Sequence, residues 1–330
     1  TGVQTCALPI SDVLRPYYID GLANMSGVTD TTFKTWIELE PQILDSYDET
    51  IKKFTFYIGD KEKLLRSIAF DISRMSIATF ESIYYISSEH ELPRSTAWPL
   101  IRSYYAAFFA AHTILRIFGY AVIQLEKGQS DKLGNALKYH AIPPKSSIGD
   151  GLHLVIFHKD LTSFSIQKLN NGSHEDTWLV LSELLTKIST DFLIDKNPVS
   201  NQKKQDLFGK IDTLVKIMKS HPCHHRANWL SRLRNEINYQ HKHGTWYPHE
   251  KSKNFRENVF NNLNSWCKEP RIQLNEKAHQ LDKYTQACTF LVSLTRELIY
   301  DILDRNPSDE SFLKSSTVKA LKQAENKKIE

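Results

Sequence analysis

A chain of 330 residues with 41% hydrophobic and 24% charged side chains has an ordinary globular composition, enough for one large domain or two modest ones, and is not a disordered chain. Its formal charge of +4 is mildly basic, which suits a nucleic-acid partner without demanding one. Nucleotide-loop and zincin enzymes lose their main support, because no Gly-x-Gly-x-x-Gly, Gly-Lys-Ser/Thr or His-Glu-x-x-His pattern and no Asp-rich calcium loop occurs.

The first ten residues, TGVQTCALPI, look like a sequencing adapter translated in frame. They are set aside as a scar, with the native N-terminus expected to be missing. Cys6 goes with them. The remaining Cys223, Cys267 and Cys288 are odd in number and far apart, which argues against a disulfide framework and for a reducing compartment, so a cytoplasmic location is expected.

Residues 11–60 read as the remainder of a truncated N-terminal region, punctuated by Gly21, Gly27 and Pro41, with a short amphipathic run over 32–56. From 61 to 87 apolar residues recur at helical spacing with no Gly or Pro, which predicts one long helix. A connector with Pro93 and Pro99 leads to a second helix over 100–118. In it, Ala106, Ala107, Ala110 and Ala111 let a neighbouring helix come close, Tyr104, Tyr105, Phe108 and Phe109 supply area to bury, and Gly119 ends it. Arg102, Ser103, His112 and Arg116 interrupt this apolar stretch, so it reads as a bundle helix and no membrane partner is expected. His112 itself reads as a satisfied core histidine or a support for a site. A weaker helix follows over 132–140.

Between 143 and 172 the run HLVIFHKDLTSFSIQKL turns β-branched and aromatic with partial alternation, which predicts a two-stranded hairpin. Helices return over 175–194, 205–220, 227–241, 254–267 and 278–304. The expected fold class is mainly α, an antiparallel helical bundle with a small β-hairpin insertion. The helical domain spans 61–304 with the insertion near 150–170, and 305–330 is a polar tail or solvated helix.

One stretch, LSRLRNEINYQHKHGTWYPH over 230–249, combines residue type, spacing and phase. At about 100° per residue, Arg234 and His241 fall within about 20° of each other, at the seam between an apolar and a polar face. Asn235 points about 100° away and suits a supporting role, as does Asn238. Two bland readings stand beside this: Arg234 paired with a carboxylate of the bundle, and His241 capping the helix C-terminus. Trp246 and Tyr247, with His243, are candidates to contact RNA, although a Trp-Tyr-Pro also packs a loop on its own bundle. His221, Cys223, His224 and His225, or His241, His243 and His249, are conceivable zinc ligands, but no second ligand pair has the usual spacing. No metal and no cofactor is expected.

The Tyr/Ala/Phe helix at 100–118 together with Arg234-Asn235 and His241, six residues intervening between the Arg and the His, resembles the HEPN superfamily of helical-bundle proteins. Many of its members are metal-independent ribonucleases in toxin and phage-defence systems. The resemblance covers mainly 100–118 and 230–246. It implies an endoribonuclease with Arg234 and His241 catalytic, a homodimer with a composite site, RNA as partner, and an antitoxin or defence-system partner. RNA carries its own nucleophile, the 2′-hydroxyl. Arg234 suits the phosphate as charge develops, and imidazole moves protons near neutrality, which suits His241 to act as general base or acid. The alternative is a non-catalytic HEPN-like module that binds RNA or protein. Family members silenced by modification of a Tyr two residues after the motif His have no counterpart here, since that position is His243.

Overall fold

The computed structural model describes residues 10–27, 30–88, 95–196, 199–220, 226–246, 253–267, 274–308 and 310–326. They form a mainly helical protein around one five-stranded antiparallel sheet. Short helices α1 (Ile10–Leu14) and α2 (Phe33–Leu39) precede strands β1 (Ile43–Asp48) and β2 (Lys53–Tyr57). The long helix α3 (Lys61–Ser88) starts where the Asp60 carboxylate accepts the Lys63 backbone N–H at 3.0 Å, a side-chain cap. Its partner α4 (Ala97–Ile117) ends at Gly119, whose φ of +82° suits a residue without Cβ.

Next come β3 (Tyr120–Leu125), α5 (Lys127–Lys138), β4 (Gly151–Phe157) and β5 (Ser163–Lys168). The C-terminal half is helical: α6 (Ser173–Ile194), α7 (Asn201–Met218), α8 (Trp229–Gln240), α9 (Lys253–Leu263), α10 (Gln280–Asp304) and α11 (Thr317–Asn326).

The core is organised on α4. Its four alanines at 106, 107, 110 and 111 are fully buried, so α3 and α10 pack closely against it. The Tyr284 hydroxyl on α10 donates to the Leu100 carbonyl at 3.1 Å, tying the two helices where a polar tip is buried.

Two expectations need correction. The β structure is not a small hairpin: β4 and β5 are the expected pair, but they lie inside a sheet of order β1-β2-β5-β4-β3. Residues 43–57, set apart in the sequence with the N-terminal region, pair through β2 with β5, from Lys53 opposite Gln167 to Tyr57 opposite Ser163. Phe33 of α2 packs edge-on against Phe157 and Phe164 of that sheet, at 4.9 and 5.7 Å, which fixes the N-terminal segment to the core. The second correction concerns the C-terminus. Instead of a tail or a solvated helix, 317–326 form a helix that packs on α3: α11 buries Val318, Leu321 and Ala324, with the Thr317 and Ser73 hydroxyls 2.9 Å apart.

Among the described residues, no helix is long and apolar enough to cross a membrane.

Candidate functional site

Helix α8 buries Leu230, Leu233 and Ile237, and this three-to-four spacing turns Arg234 toward α4. The Arg234 guanidinium lies over the rings of Tyr104 and Tyr105, 4.9 and 5.5 Å from their centroids. The residue is only 5% exposed. Its Nε has no hydrogen-bond partner, and among the described residues no carboxylate pairs with it. Desolvating a cation costs several kcal/mol, whereas two ring faces return about 2 kcal/mol or a little more. The rings alone do not offset the burial in full.

His174, the second residue of α6, completes this corner. The Tyr104 hydroxyl accepts from Trp178 Nε1, a donor-only group, at 3.1 Å. It lies 2.8 Å from His174 Nδ1. Burial raises the Tyr104 pKa, so the hydroxyl keeps its proton and shares one hydrogen bond with Nδ1, whichever of the two donates. Burial first, then the Arg234 charge, pulls His174 down to about 4, so it is neutral at pH 7. A neutral imidazole thus stands beside a cation that no carboxylate balances among the described residues, an arrangement that suits a phosphate.

The low value at His174 has a consequence for stability. Unfolded imidazole titrates near 6.5, so between that value and about 4 the unfolded chain binds more protons than the folded one. Stability is full above that window and falls as pH is lowered through it. The melting temperature is expected to fall from pH 7 to pH 5, and His174→Asn to flatten that slope. Burial also holds His112 and His153 low, so some slope remains in the variant. Identical slopes in parent and variant would contradict the assignment.

The other residues singled out in the sequence lie elsewhere. His241 is not in the last turns of α8 and does not share the Arg234 face: the helix ends at Gln240, and His241 is exposed with φ +50° in the left-handed region. The cause is a cap assembled from downstream groups. The backbone N–H groups of His241 and Lys242 both return to the Glu236 carbonyl, and Trp246 Nε1 donates to the Ile237 carbonyl at 2.6 Å. His243 Nε2 lies 2.9 Å from the Glu236 carboxylate.

The Trp246 ring contacts His241 at 5.3 Å and Trp98 at 5.4 Å, so it packs the loop on its own bundle. The Thr96 and Ala97 backbone N–H groups, at 2.8 and 3.2 Å, donate to the Thr245 carbonyl, which sews this loop to the start of α4. Arg234 therefore faces Tyr104 and Tyr105, while His241 stands by Trp98 and Trp246, roughly two turns nearer the start of α4. Asn235 and Asn238 are half-buried. His112 is buried in the core, with Nδ1 3.3 Å from Arg116 Nη1.

His174 and the Tyr104 hydroxyl were not legible in the sequence, because their contact joins residues 70 positions apart and no spacing announces it. Among the described residues no three His, Cys, Asp or Glu side chains gather as a metal site. Tyr247, His221, Cys223, His224, His225 and His249 lie outside the described residues. In comparison with known proteins, no family model, no curated protein and no solved structure matches the chain.

Proposed function

We propose that the chain is a metal-independent endoribonuclease of HEPN type, acting in phage defence or as a toxin, with Arg234 on the scissile phosphate and His241 as its proton-transfer group. The observation that carries this reading is the buried Arg234, which has an unpartnered Nε and no carboxylate partner among the described residues, beside the neutral imidazole of His174. That pair meets the two non-bridging oxygens of a phosphodiester, which share one negative charge, and the stabilisation grows as the phosphorane gathers charge.

His241, which within one chain stands roughly two turns of α4 from Arg234, takes the proton of the RNA 2′-hydroxyl once the α8 ends of two copies meet. The 2′-oxygen bonds to phosphorus, the bond from phosphorus to the 5′-oxygen breaks, and the leaving oxygen receives a proton. In the homodimer that the family resemblance implies, the ends of α8 from two copies face each other, so that the second copy's equivalent histidine supplies the latter proton. The exposed position of His241, at the end of α8, supports this division of labour.

A second reading, a non-catalytic module that binds RNA or a protein, is favoured by one observation: Arg234 is already laid across two tyrosine rings, as a structural prop is. Incubating the full chain with total RNA in EDTA separates the two. The ribonuclease reading expects fragments from the parent and none from His241→Ala. Intact RNA, or equal cleavage by both forms, rules it out.

A further inference from the structure

A cavity of about 470 Å³ opens between α2, α3, α4, β3 and α5, within the range of small-molecule sites. Its charged lining is Lys34, Arg74 and Arg116 against the single carboxylate of Asp71, three cations to one acid. Lys34 is paired outward with Glu126 at 2.5 Å, which leaves Arg74 and Arg116 to share Asp71. Arg74 Nη2 takes one carboxylate oxygen at 2.6 Å. Arg116 Nε stands 3.6 Å from the other, too long for a hydrogen bond, and has no other acceptor.

Arg116 is 4% exposed, so an unmet donor and a surplus of positive charge are held at the cavity wall. His112 does not balance it. Burial and the Arg116 charge keep that imidazole neutral, and its carbonyl accepts from Arg116 Nη1 at 3.1 Å. Met75, Val122 and Ile123 give the same cavity an apolar wall.

We propose that this cavity binds a small organic phosphate, its phosphoryl group held by Arg74 and Arg116 and its carbon part lying against Met75, Val122 and Ile123. A phosphate dianion matches two guanidiniums and their planar donor forks. A carboxylate repeats what Asp71 already provides. The site is separate from Arg234 and independent of the ribonuclease reading.

The test is calorimetric titration of the full chain with glycerol 3-phosphate and with inorganic phosphate, at low salt, with glycerol as control. Saturable binding of glycerol 3-phosphate is expected, with inorganic phosphate weaker and glycerol silent. Arg74→Gln is expected to weaken binding about tenfold or more; its side chain is 45% exposed and glutamine keeps a donor for Asp71, and a thermal melt of the same preparation checks that the variant is folded. Asp71→Asn is expected to strengthen binding several-fold by removing the competing acid, a gain that a merely structural role does not give. Arg234→Met is expected to leave binding unchanged. No saturable heat with either phosphate, or affinities unmoved by Arg74→Gln and Asp71→Asn, overturns the proposal. So does binding abolished by Arg234→Met alone, which assigns the anion to the other site.

Discussion

Replacing Arg234 by methionine is expected to lower RNA cleavage by about 10²–10³-fold while changing folding stability by less than about 1 kcal/mol. The two halves of this expectation have the same origin. The guanidinium is 5% exposed, and no carboxylate among the described residues balances it, so the folded chain carries a desolvation cost that a structural residue is not asked to carry. Methionine keeps the contact with the Tyr104 and Tyr105 rings through its thioether, loses the cation–π attraction, and removes the desolvation cost. Cleavage rates in EDTA and thermal melts of the same preparations check both halves. A loss of about 3 kcal/mol or more identifies Arg234 as a prop of the bundle and favours the binding-module reading.

His241→Asn has the second large expected effect, a fall in cleavage of about 10²–10⁴-fold, with stability held within about 0.5 kcal/mol. Asparagine tolerates the left-handed backbone that His241 adopts at φ +50°, and the side chain is exposed, so the substitution removes a proton-transfer group and little else. His241→Gly carries the argument further. Glycine is the residue this backbone position favours, and the variant is expected to be inactive yet more stable by up to about 1 kcal/mol. Chemical denaturation alongside the cleavage assay reads both. A His241→Asn chain that cuts RNA at the parental rate removes His241 from the chemistry.

Where the chain's own periodicity decides the structure, the sequence was readable. The helix expected over 61–87 is α3, Lys61–Ser88, because 28 residues of helical spacing without Gly or Pro leave no competing pattern. Helix α4 begins earlier than expected, at Ala97, since Pro99 falls in the first turn, where its missing N–H costs nothing. Strands β4 and β5 announced themselves by alternation. The other three did not: β1 is an edge strand with a bulge near Leu44 and mostly exposed side chains, β2 is five residues long, and β3 directly follows a helix. A helix was among the readings of the last 25 residues, but its lysines hid that Val318, Leu321 and Ala324 seat it on the core.

At the candidate site the same division holds. Helical phase brought Arg234 to a dry face, whereas the end of α8 depends on Trp246 reaching back to Ile237, a contact across a loop that no cap residue signals. His174 is a long-range neighbour of Tyr104 and is found only once α4 and α6 are packed.

The most direct measurement uses two versions of one RNA oligonucleotide in EDTA, natural and 2′-O-methylated throughout, incubated with the full chain. The natural RNA is expected to be cut to 2′,3′-cyclic phosphate and 5′-hydroxyl ends, while the methylated RNA stays whole, because a methyl group stands in place of the proton on the attacking 2′-oxygen. Both RNAs intact, or both cut, contradicts it.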